Sequence, residues 1–424
     1  MAQWMQAIWL AVAWWLVALL SQSMAHAATQ TLPVWLGSGV TLAALLVARR
    51  WAWPALLAGA ALAACGWGIY AHRLDLPASL LFAGVEVASM ALGAWVATAG
   101  RHDLSSPAGA ARLIGGALLA SVVGATLAAL LWAWARPGAD LAFEWRAWSL
   151  STAVGLLLVA PLVVAYRGFR VRRSGGLPMA PFLGGAAAFV AFVLAVLLVF
   201  SGQAAQRWGG LAATLAYLPM PFLLVASLLW GPRGGTVATL VGALLIIGLT
   251  AQGGGPFAMT EGFAGEAVVE VQGFVLAWAV VLVLTQALAE GRRRALAGAR
   301  DWQLRYERTL QAVGVASVEY DAASGRATWG TGAEQVLGPV AGRVATHREW
   351  LDLVDAADRG LVQAAWQAVA DGSRAATEHG YTLRGPDGRL RRVHERLAAV
   401  AGGDGRVEQV VALLHLLPEE PAHG

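Results

Sequence analysis

The sequence predicts a polytopic α-helical membrane bundle of about eight to ten transmembrane helices, followed by a C-terminal α+β domain with a five-stranded antiparallel sheet. The first observation is composition: 58% of the 424 residues are hydrophobic and 13% are charged. In ordinary soluble domains about a quarter of the residues are charged. The second observation is a change of composition near residue 290, and the third is the short-strand pattern that follows it.

The change of composition is a change in charge density. Up to Ala289 the chain has 13 Arg and 8 acidic residues, whereas from Glu290 onward it has 17 Arg and 18 acidic residues. Such a shift predicts a domain boundary. We therefore divide the sequence into a membrane domain, a helical linker, a soluble domain and a disordered tail, at residues 1–289, 290–312, 313–418 and 419–424.

Ten apolar stretches approach the length of about 20 residues that a helix needs to cross the hydrocarbon core. They are residues 4–28, 34–48, 54–71, 78–98, 113–134, 148–166, 182–200, 211–230, 235–251 and 267–289. The second and third are short enough to form a re-entrant hairpin instead. The first ends in Ala25-His26-Ala27, which resembles a signal-peptidase site, but it lacks a basic segment before it. We therefore favour a membrane span there over a cleaved signal peptide.

The arginines predict the orientation of these spans. If the N-terminus is cytoplasmic, the inside loops hold nine Arg and the outside loops hold four. This asymmetry follows the positive-inside rule. We therefore expect a multi-pass protein of the bacterial inner (plasma) membrane, in contact with the lipid bilayer and with its soluble C-terminal domain in the cytoplasm.

Two classes of site are disfavoured by residue usage. All 30 basic residues are Arg, and in the soluble part they are scattered among acids. This pattern argues against a nucleic-acid surface, so we expect no nucleic-acid partner. Cys65 is the only cysteine, which excludes a disulfide framework and a cysteine-based metal site. We expect neither a metal site nor catalytic residues.

The candidate ligand-binding residues are the polar side chains inside the predicted spans. Burying an acid in hydrocarbon costs several kcal/mol, so intramembrane acids often mark functional sites. Glu86 and Glu270 are the only ionisable residues well inside the stretches, and Gln272 follows two residues later. One hypothesis is a ligand pocket or ion site lined by both acids. The alternative is that Glu270, close to Glu266, marks the outer end of the last span, and that Glu86 is a neutral, hydrogen-bonded carboxyl.

An ordered series of Gly- and Pro-containing motifs runs through the membrane part. These are PVWLGSGV at 33–40, RRWAWP at 49–54, GLLLVAPL at 155–162, LWGPRGG at 229–235, GGGPF at 253–257 and VQGFV at 271–275. The series resembles MASE1, an integral membrane sensory domain of bacterial histidine kinases and diguanylate cyclases. That family often carries an Asp just before the GLLLVAP run, where this chain has Ser149, Ser151 and Thr152. If that acid takes part in recognition, the stimulus differs here.

The linker carries a heptad pattern. Apolar or small residues recur with alternating spacings of four and three at Ala295, Ala299, Trp302, Tyr306, Thr309 and Val313. Such a seam is typical of paired helices. We therefore expect a homodimer that forms through the linker and the soluble domain.

The soluble domain is predicted to contain two strands, short helices and then three strands. The strands are 316–321, 326–329, 378–384, 389–400 and 406–417, and the helices are 334–337, 349–354 and 358–370. This order resembles a PAS domain, as do LVDAADR at 353–359 and YTLR at 381–384 with the turn residues Asp387-Gly388. The usual Asp-Ile-Thr exit of the family is replaced by His415-Leu416-Leu417-Pro418.

A PAS domain either holds haem, flavin or a metabolite or only dimerises, and here no bound cofactor is predicted. The flavin-cysteine type needs a cysteine in this domain, and none is present. We expect surface or turn positions for the histidines rather than haem ligation, and core positions for the large aromatic residues. The histidines are His347, His379, His394 and His415, and the aromatic residues are Trp329, Trp350, Trp366 and Tyr381.

The sequence contains no recognisable enzyme module. Gly402-Gly403-Asp404-Gly405 begins like a diguanylate cyclase signature but lacks the acid and aromatic residue that follow it. His394 lies on a predicted strand rather than on a phosphoacceptor helix, and seven residues remain after Leu417. We therefore expect a two-component-type sensor without an enzyme, which passes its signal to a separate cytoplasmic effector. The alternatives are a transporter-like protein with a regulatory PAS domain, or a truncated histidine kinase or diguanylate cyclase.

Overall fold

The computed structural model of the chain describes most of its residues. These are residues 2–26, 29–100, 103–104, 106–135, 138, 140–169, 178–202, 211–258, 265–330, 332–385, 389–403 and 405–417. The chain divides into two compact units, Met1–Arg294 and Ala295–Gly424. Three predicted features lie outside the described residues: the end of the first span at 27–28, the Asp-Gly turns at 387–388 and 404, and the tail 419–424.

The first unit is a bundle of α-helices. Its elements are α1 (Ala2–Ser23), α2 (Leu36–Val47), α3 (Trp53–His72), α4 (Leu76–Thr98), α5 (Pro107–Ala135), α6 (Leu141–Ala165), α7 (Met179–Phe200), α8 (Ala212–Leu215), α9 (Met220–Ala251) and α10 (Glu266–Ala312). The last 18 residues of α10, from Ala295, belong to the second unit. Among the described residues, eight helices are long and apolar enough to cross a membrane, and α2 is a shorter apolar helix. The prediction of a multi-pass helical membrane bundle is confirmed.

Helix α6 lies in the interior of this bundle. All ten residues from Ser151 to Ala160 are buried, and α6 packs against α2, α5 and α9. The contact with α2 is close because Gly39 of α2 lies against Gly155 of α6. A Cβ on Gly155 would also collide with the backbone carbonyl of Trp35, just before α2. The backbone N–H of Trp35 donates to the carbonyl of Ser151 at 3.0 Å. Small residues allow this approach of two backbones, as is usual between helices in membranes.

Helix α9 folds back on itself at Gly231, which has φ 68° and ψ −169°. The hydroxyl of Ser227 lies 3.4 Å from the carbonyl oxygen of Gly235, eight positions later. In a straight helix these positions would be about 12 Å apart along the axis. Residues 220–230 and 232–251 are therefore two antiparallel halves. This agrees with the two separate apolar stretches that the sequence predicts here.

Helix α10 is one continuous helix of 47 residues. The sequence divides the same region into a span at 267–289 and a linker at 290–312. No proline interrupts it. A Cβ added at Gly273, Gly291 or Gly298 would collide with no other atom, so these glycines do not mark close contacts with another helix. The heptad residues Trp302, Tyr306 and Val313 are exposed, and Val313 lies just after the end of the helix.

Among its described residues, the second unit contains the end of α10, a five-stranded antiparallel sheet and three further α-helices. Its elements are β1 (Val315–Asp321), β2 (Ala327–Trp329), α11 (Ala333–Leu337), α12 (His347–Leu353), α13 (Arg359–Ala370), β3 (Ala376–Arg384), β4 (Leu390–Ala401) and β5 (Val407–Leu416). The strand order is β2-β1-β5-β4-β3. Alternate residues of each long strand face one hydrophobic core, which includes Val318, Trp350 and Leu397. The predicted fold class of this domain is confirmed.

Candidate functional site

A cavity of about 380 Å³ lies within the first unit. Its walls come from α1, α3, α4, α5 and α6 and from residues 29–32, which follow α1. The lining residues of α1 and α3 come from the C-terminal halves of those helices, and those of α4 and α6 come from the N-terminal halves. The cavity therefore lies toward one end of the bundle, on the side of the loop that joins α1 to α2.

Glu86 of α4 borders this cavity. The hydroxyl of Ser38 on α2 lies 2.7 and 2.9 Å from the two carboxylate oxygens. In the part of the chain that the structure describes, Ser38 is the one hydrogen-bond donor to this carboxylate. Glu86 is not completely enclosed by protein atoms, because it faces the open volume.

Three indole rings form one side of the cavity, which we call the aromatic wall: Trp14, Trp35 and Trp67. Their ring centroids lie 5.4 Å (Trp14–Trp35), 6.2 Å (Trp14–Trp67) and 5.9 Å (Trp35–Trp67) apart. The planes of Trp14 and Trp35 are inclined by 83°. The Nε1 atoms of Trp14 and Trp67 are buried and have no hydrogen-bond partner among the described residues.

Two hydroxyl side chains on α6, Ser151 and Thr152, also line the cavity. Both hydroxyl oxygens are buried, and within the described ranges neither has a hydrogen-bond partner. A buried hydroxyl in a helix usually bonds to the carbonyl four residues earlier, so two orphaned hydroxyls side by side are unusual. The sequence singled out these positions only because the resembling family often has an acid nearby. Their place in the cavity wall was not predicted.

The structure places the three candidate residues differently. Gln272 is fully buried, and its amide Nε2 donates to the carbonyls of Leu32 at 3.1 Å and Ala147 at 3.3 Å. Because Leu32 and Ala147 line the cavity, Gln272 supports its wall from behind. Glu270 is exposed on α10 and does not line the cavity. The structure thus brings Glu86 and Gln272 to one site and leaves Glu270 outside it.

The second unit has its own buried polar cluster. Glu395 on β4 is 1% exposed, and its Oε2 lies 3.2 Å from Nε2 of His379, the residue directly opposite on β3. Glu395 also interacts with the hydroxyl of Tyr381, which accepts a hydrogen bond from Nε1 of Trp350 at 2.8 Å. The pKa values of Tyr320 and Tyr381 are raised well above the usual tyrosine value. Burial is the larger cause, and the charge of Glu395 is the next.

This cluster was not predicted from the sequence, where the neighbouring His394 drew attention instead of Glu395. The alternation of β4 contained the necessary information. Val393 and Leu397 are apolar and face the core, so the residue midway between them shares their face. A charged residue at such a position requires a partner, and His379 is that partner.

Two histidines correct the expectation of surface or turn positions. His347 is 5% exposed, and its ring stacks on Trp366 at a centroid distance of 4.5 Å. Burial lowers the pKa of His347 to about 4. The side chain of His379 is 8% exposed. No group of three or more His, Cys, Asp or Glu side chains that could hold a metal ion occurs among the described residues.

Comparison with known families agrees with this architecture. The MASE1 family profile matches residues 4–293, and a profile of the PAS fold matches residues 326–414. No curated protein matches the chain significantly. The predicted resemblances of the membrane part and of the soluble domain are therefore both confirmed.

Three solved structures each match about a quarter of the chain. A sensory box histidine kinase/response regulator from Burkholderia thailandensis E264 is 16% identical, with a TM-score of 0.23; the match covers 27% of this chain and 84% of that one. An RNA-binding light-oxygen-voltage receptor is 24% identical, with a TM-score of 0.22, and the match covers 26% of this chain and 31% of that one. A domain assigned to a light and redox sensing histidine kinase from Haloarcula marismortui is 15% identical, with a TM-score of 0.23, over 27% of this chain and 98% of that one.

Proposed function

Because the chain belongs to the MASE1 family and carries a PAS domain, we propose that this multi-pass membrane sensor binds its cue in the cavity beside Glu86. In this proposal the PAS domain relays the change to a separate cytoplasmic effector. The chain itself carries out no enzymatic step. Its cue is a ligand in the cavity, and its output is a change in the contacts between the PAS domain and the effector.

The observation that carries this proposal is the position of Gln272. It lies on α10, the helix that continues to Ala312 and precedes the PAS domain. Its two hydrogen bonds hold the carbonyls of Leu32 and Ala147, which belong to the cavity wall. A ligand that moves this wall therefore changes contacts of α10. Hydrogen bonds and packed side chains of this kind can carry energetic coupling between two sites.

A second contact supports the same path. Gln286, further along α10, donates from Nε2 to the hydroxyl of Ser227 at 3.2 Å. Ser227 lies beside the turn of α9 and contacts Gly235 across it. Thus α10 is held by one buried amide near the cavity and by another at the α9 turn. Buried hydrogen bonds of this kind define one arrangement of a helix and resist others.

Location and assembly form part of the proposal. The distribution of nine Arg against four among the loops supports a bacterial inner-membrane protein with a cytoplasmic PAS domain. The exposed heptad side chains Trp302 and Tyr306 support a homodimer that pairs through the linker. In such a dimer the linker helices carry motion of α10 to the PAS domains.

The relay is tested by disulfide cross-linking of the linker in membranes. A Cys65→Ala background receives a single cysteine at Trp302, which is 73% exposed. We expect oxidation to link two copies and Gln272→Leu to change the yield by about fivefold or more, the lower end of typical coupling between sites. Thr285→Val is the matched control, because the hydroxyl of Thr285 bonds to Val281 of the same helix. Equal yields in all three proteins would contradict the relay.

A transporter-like protein with a regulatory PAS domain is the second candidate function. The observation that favours it is the break of α9 at Gly231, because interrupted helices inside the membrane are a feature of many transporters. Uptake measured in vesicles with the purified full chain separates the two functions. Accumulation of a solute that empty vesicles exclude would support transport over sensing.

A further inference from the structure

The charge of the cavity lining points to the charge of its ligand. Glu86 and Glu144 both line the cavity, and among the described lining residues His72 is the one basic side chain, with no Lys or Arg. An ionised carboxylate inside a membrane protein needs a counter-charge or several donors. A carboxylate offers about four acceptor positions, whereas the described residues bring one hydroxyl, that of Ser38, to Glu86. The open volume beside Glu86 is where a cation would complete this environment.

The aromatic content of the lining distinguishes an organic cation from a metal ion. Six aromatic side chains line the cavity, three of them in the aromatic wall. Hard metal ions are held by six or more oxygen ligands, whereas five of the lining residues are tryptophans, whose rings offer no oxygen. An ammonium group attached to an apolar body is attracted by indole faces, and its body can pack against the same rings.

The remaining polar atoms and the size of the cavity restrict the ligand further. Ser151 and Thr152 border the cavity from α6, and their hydroxyls have no partner in the described part of the chain. A volume of about 380 Å³ is at the small end of the range for small-molecule pockets. The site therefore suits a small molecule with a hydrogen-bonding group in addition to its positive charge.

We propose that this cavity binds a small organic amine in its cationic form. Its ammonium group would lie at the carboxylate of Glu86, its apolar body against Trp14, Trp35 and Trp67, and a polar group near Ser151 and Thr152. This inference rests on the proposed function, since it names the chemical class of the cue. It does not depend on how α10 transmits the binding event.

The test compares three probes of nearly the same shape on the purified full chain in lipid nanodiscs, by equilibrium dialysis. The probes are 2-phenylethylamine, which is cationic, 2-phenylethanol, which is neutral, and phenylacetate, which is anionic. We expect the amine to bind at least about tenfold more tightly than the other two, because a charge-assisted hydrogen bond is stronger than a neutral one. No saturable binding of the amine, or equal binding of amine and alcohol, overturns the proposal.

Variants then locate the binding site. Glu86→Gln is expected to weaken amine binding about tenfold or more and to leave binding of the alcohol unchanged. Glu270→Gln is the matched control, because it neutralises an exposed acid on α10, and unchanged amine binding is expected there. Equal affinity for the amine in Glu86→Gln and the unmodified chain overturns the assignment. If Glu86→Gln does not fold, Ser151→Ala combined with Thr152→Val tests the same cavity with tyramine, which adds a phenol hydroxyl to 2-phenylethylamine. A several-fold loss of tyramine binding is then expected, because the two hydroxyls that would meet the phenol are gone.

The inference and the proposed relay fail in different ways. Selective amine binding together with an unchanged linker cross-link in Gln272→Leu would keep the ligand class and remove the relay. A Gln272-dependent cross-link without selective amine binding would keep the relay and remove the ligand class.

Discussion

Each unit of this protein contains an acid away from bulk solvent, and the two acids have opposite surroundings. Glu395 in the PAS domain faces His379 across two paired strands at 3.2 Å, inside a closed core. Glu86 in the membrane unit receives one hydroxyl from Ser38 and borders a cavity of about 380 Å³. Glu395 thus has its partner within the protein, whereas Glu86 borders a volume in which a ligand can bind.

The difference indicates which acid is structural and which is available for binding. A buried acid with a partner of its own is part of the fold, and removing it leaves that partner without compensation. A partly exposed acid beside open volume, such as Glu86, contributes less to the packed structure, because few groups depend on it. Three predictions test this comparison in order of decreasing effect.

The largest effect is expected from Glu395→Ala. The variant removes a side chain that is 1% exposed, together with its contacts to His379 and Tyr381. The cavity and the lost polar contacts should together destabilise the PAS domain by about 4 kcal/mol. Hydrogen exchange of strands β3 and β4 in the full chain measures this loss. Glu378→Ala is the matched control, because Glu378 and His394 form a pair on the outer face of the same strands, with side chains 56% and 44% exposed. A change of at most about 1 kcal/mol is expected there. Equal effects of the two variants would contradict a structural role for Glu395.

A somewhat smaller effect is expected from acidification, through His347. Burial lowers its pKa to about 4, whereas an unfolded chain has a histidine pKa near 6.5. As the pH falls below about 6.5, the unfolded chain binds a proton that the folded domain does not accept, so stability decreases until the pH reaches about 4. The gap between the two pKa values corresponds to about 3 kcal/mol.

His347→Phe should remove this part of the pH dependence while keeping a ring beside Trp366. Comparing the variant with the unmodified chain cancels the contributions of all other titrating groups. Hydrogen exchange of β1 and α12 at pH 7 and pH 4.5 provides the measurement. The same loss of stability on acidification in both proteins would show that His347 is not responsible.

The smallest effect is expected for Glu86→Gln in the absence of any ligand. The amide keeps the size of the side chain and still accepts a hydrogen bond from Ser38, so the thermal stability of the membrane unit should change by less than about 1 kcal/mol. Melting of the detergent-solubilised chain, followed by size-exclusion chromatography, checks this. A loss comparable to that of Glu395→Ala would make Glu86 a structural acid and end the comparison.

The sequence predicted the elements of both units better than it predicted their sites. Hydropathy and the Arg distribution depend on many residues, so single exceptions do not affect them, and the helices of the bundle followed. The strand pattern of the PAS domain followed from alternation within short windows. Glu86 was found because an acid inside a long apolar stretch stands out without any three-dimensional information.

The residues that form each site could not be predicted, because they come together through contacts between positions far apart in the sequence. Gln272 bonds to Leu32, 240 residues away, and no local pattern indicates such a pair. Trp14 and Trp67 meet because α1 packs on α3, while each alone looks like an interfacial tryptophan. Glu270 resembled Glu86 in sequence, but it lies on the exposed face of α10, which depends on the rotation of the helix in the bundle.

The turn at Gly231 has a consequence for the compartment in which the rest of the chain is found. Each full crossing of a bilayer moves the chain to the other side, so the parity of crossings decides where the C-terminal domain lies. The two halves of α9 are antiparallel, and Gly254 after them packs against the backbone of Phe200, at the end of α7. The chain therefore leaves α9 on the side from which it entered. If this segment were inserted as one straight span, everything after it would change compartment.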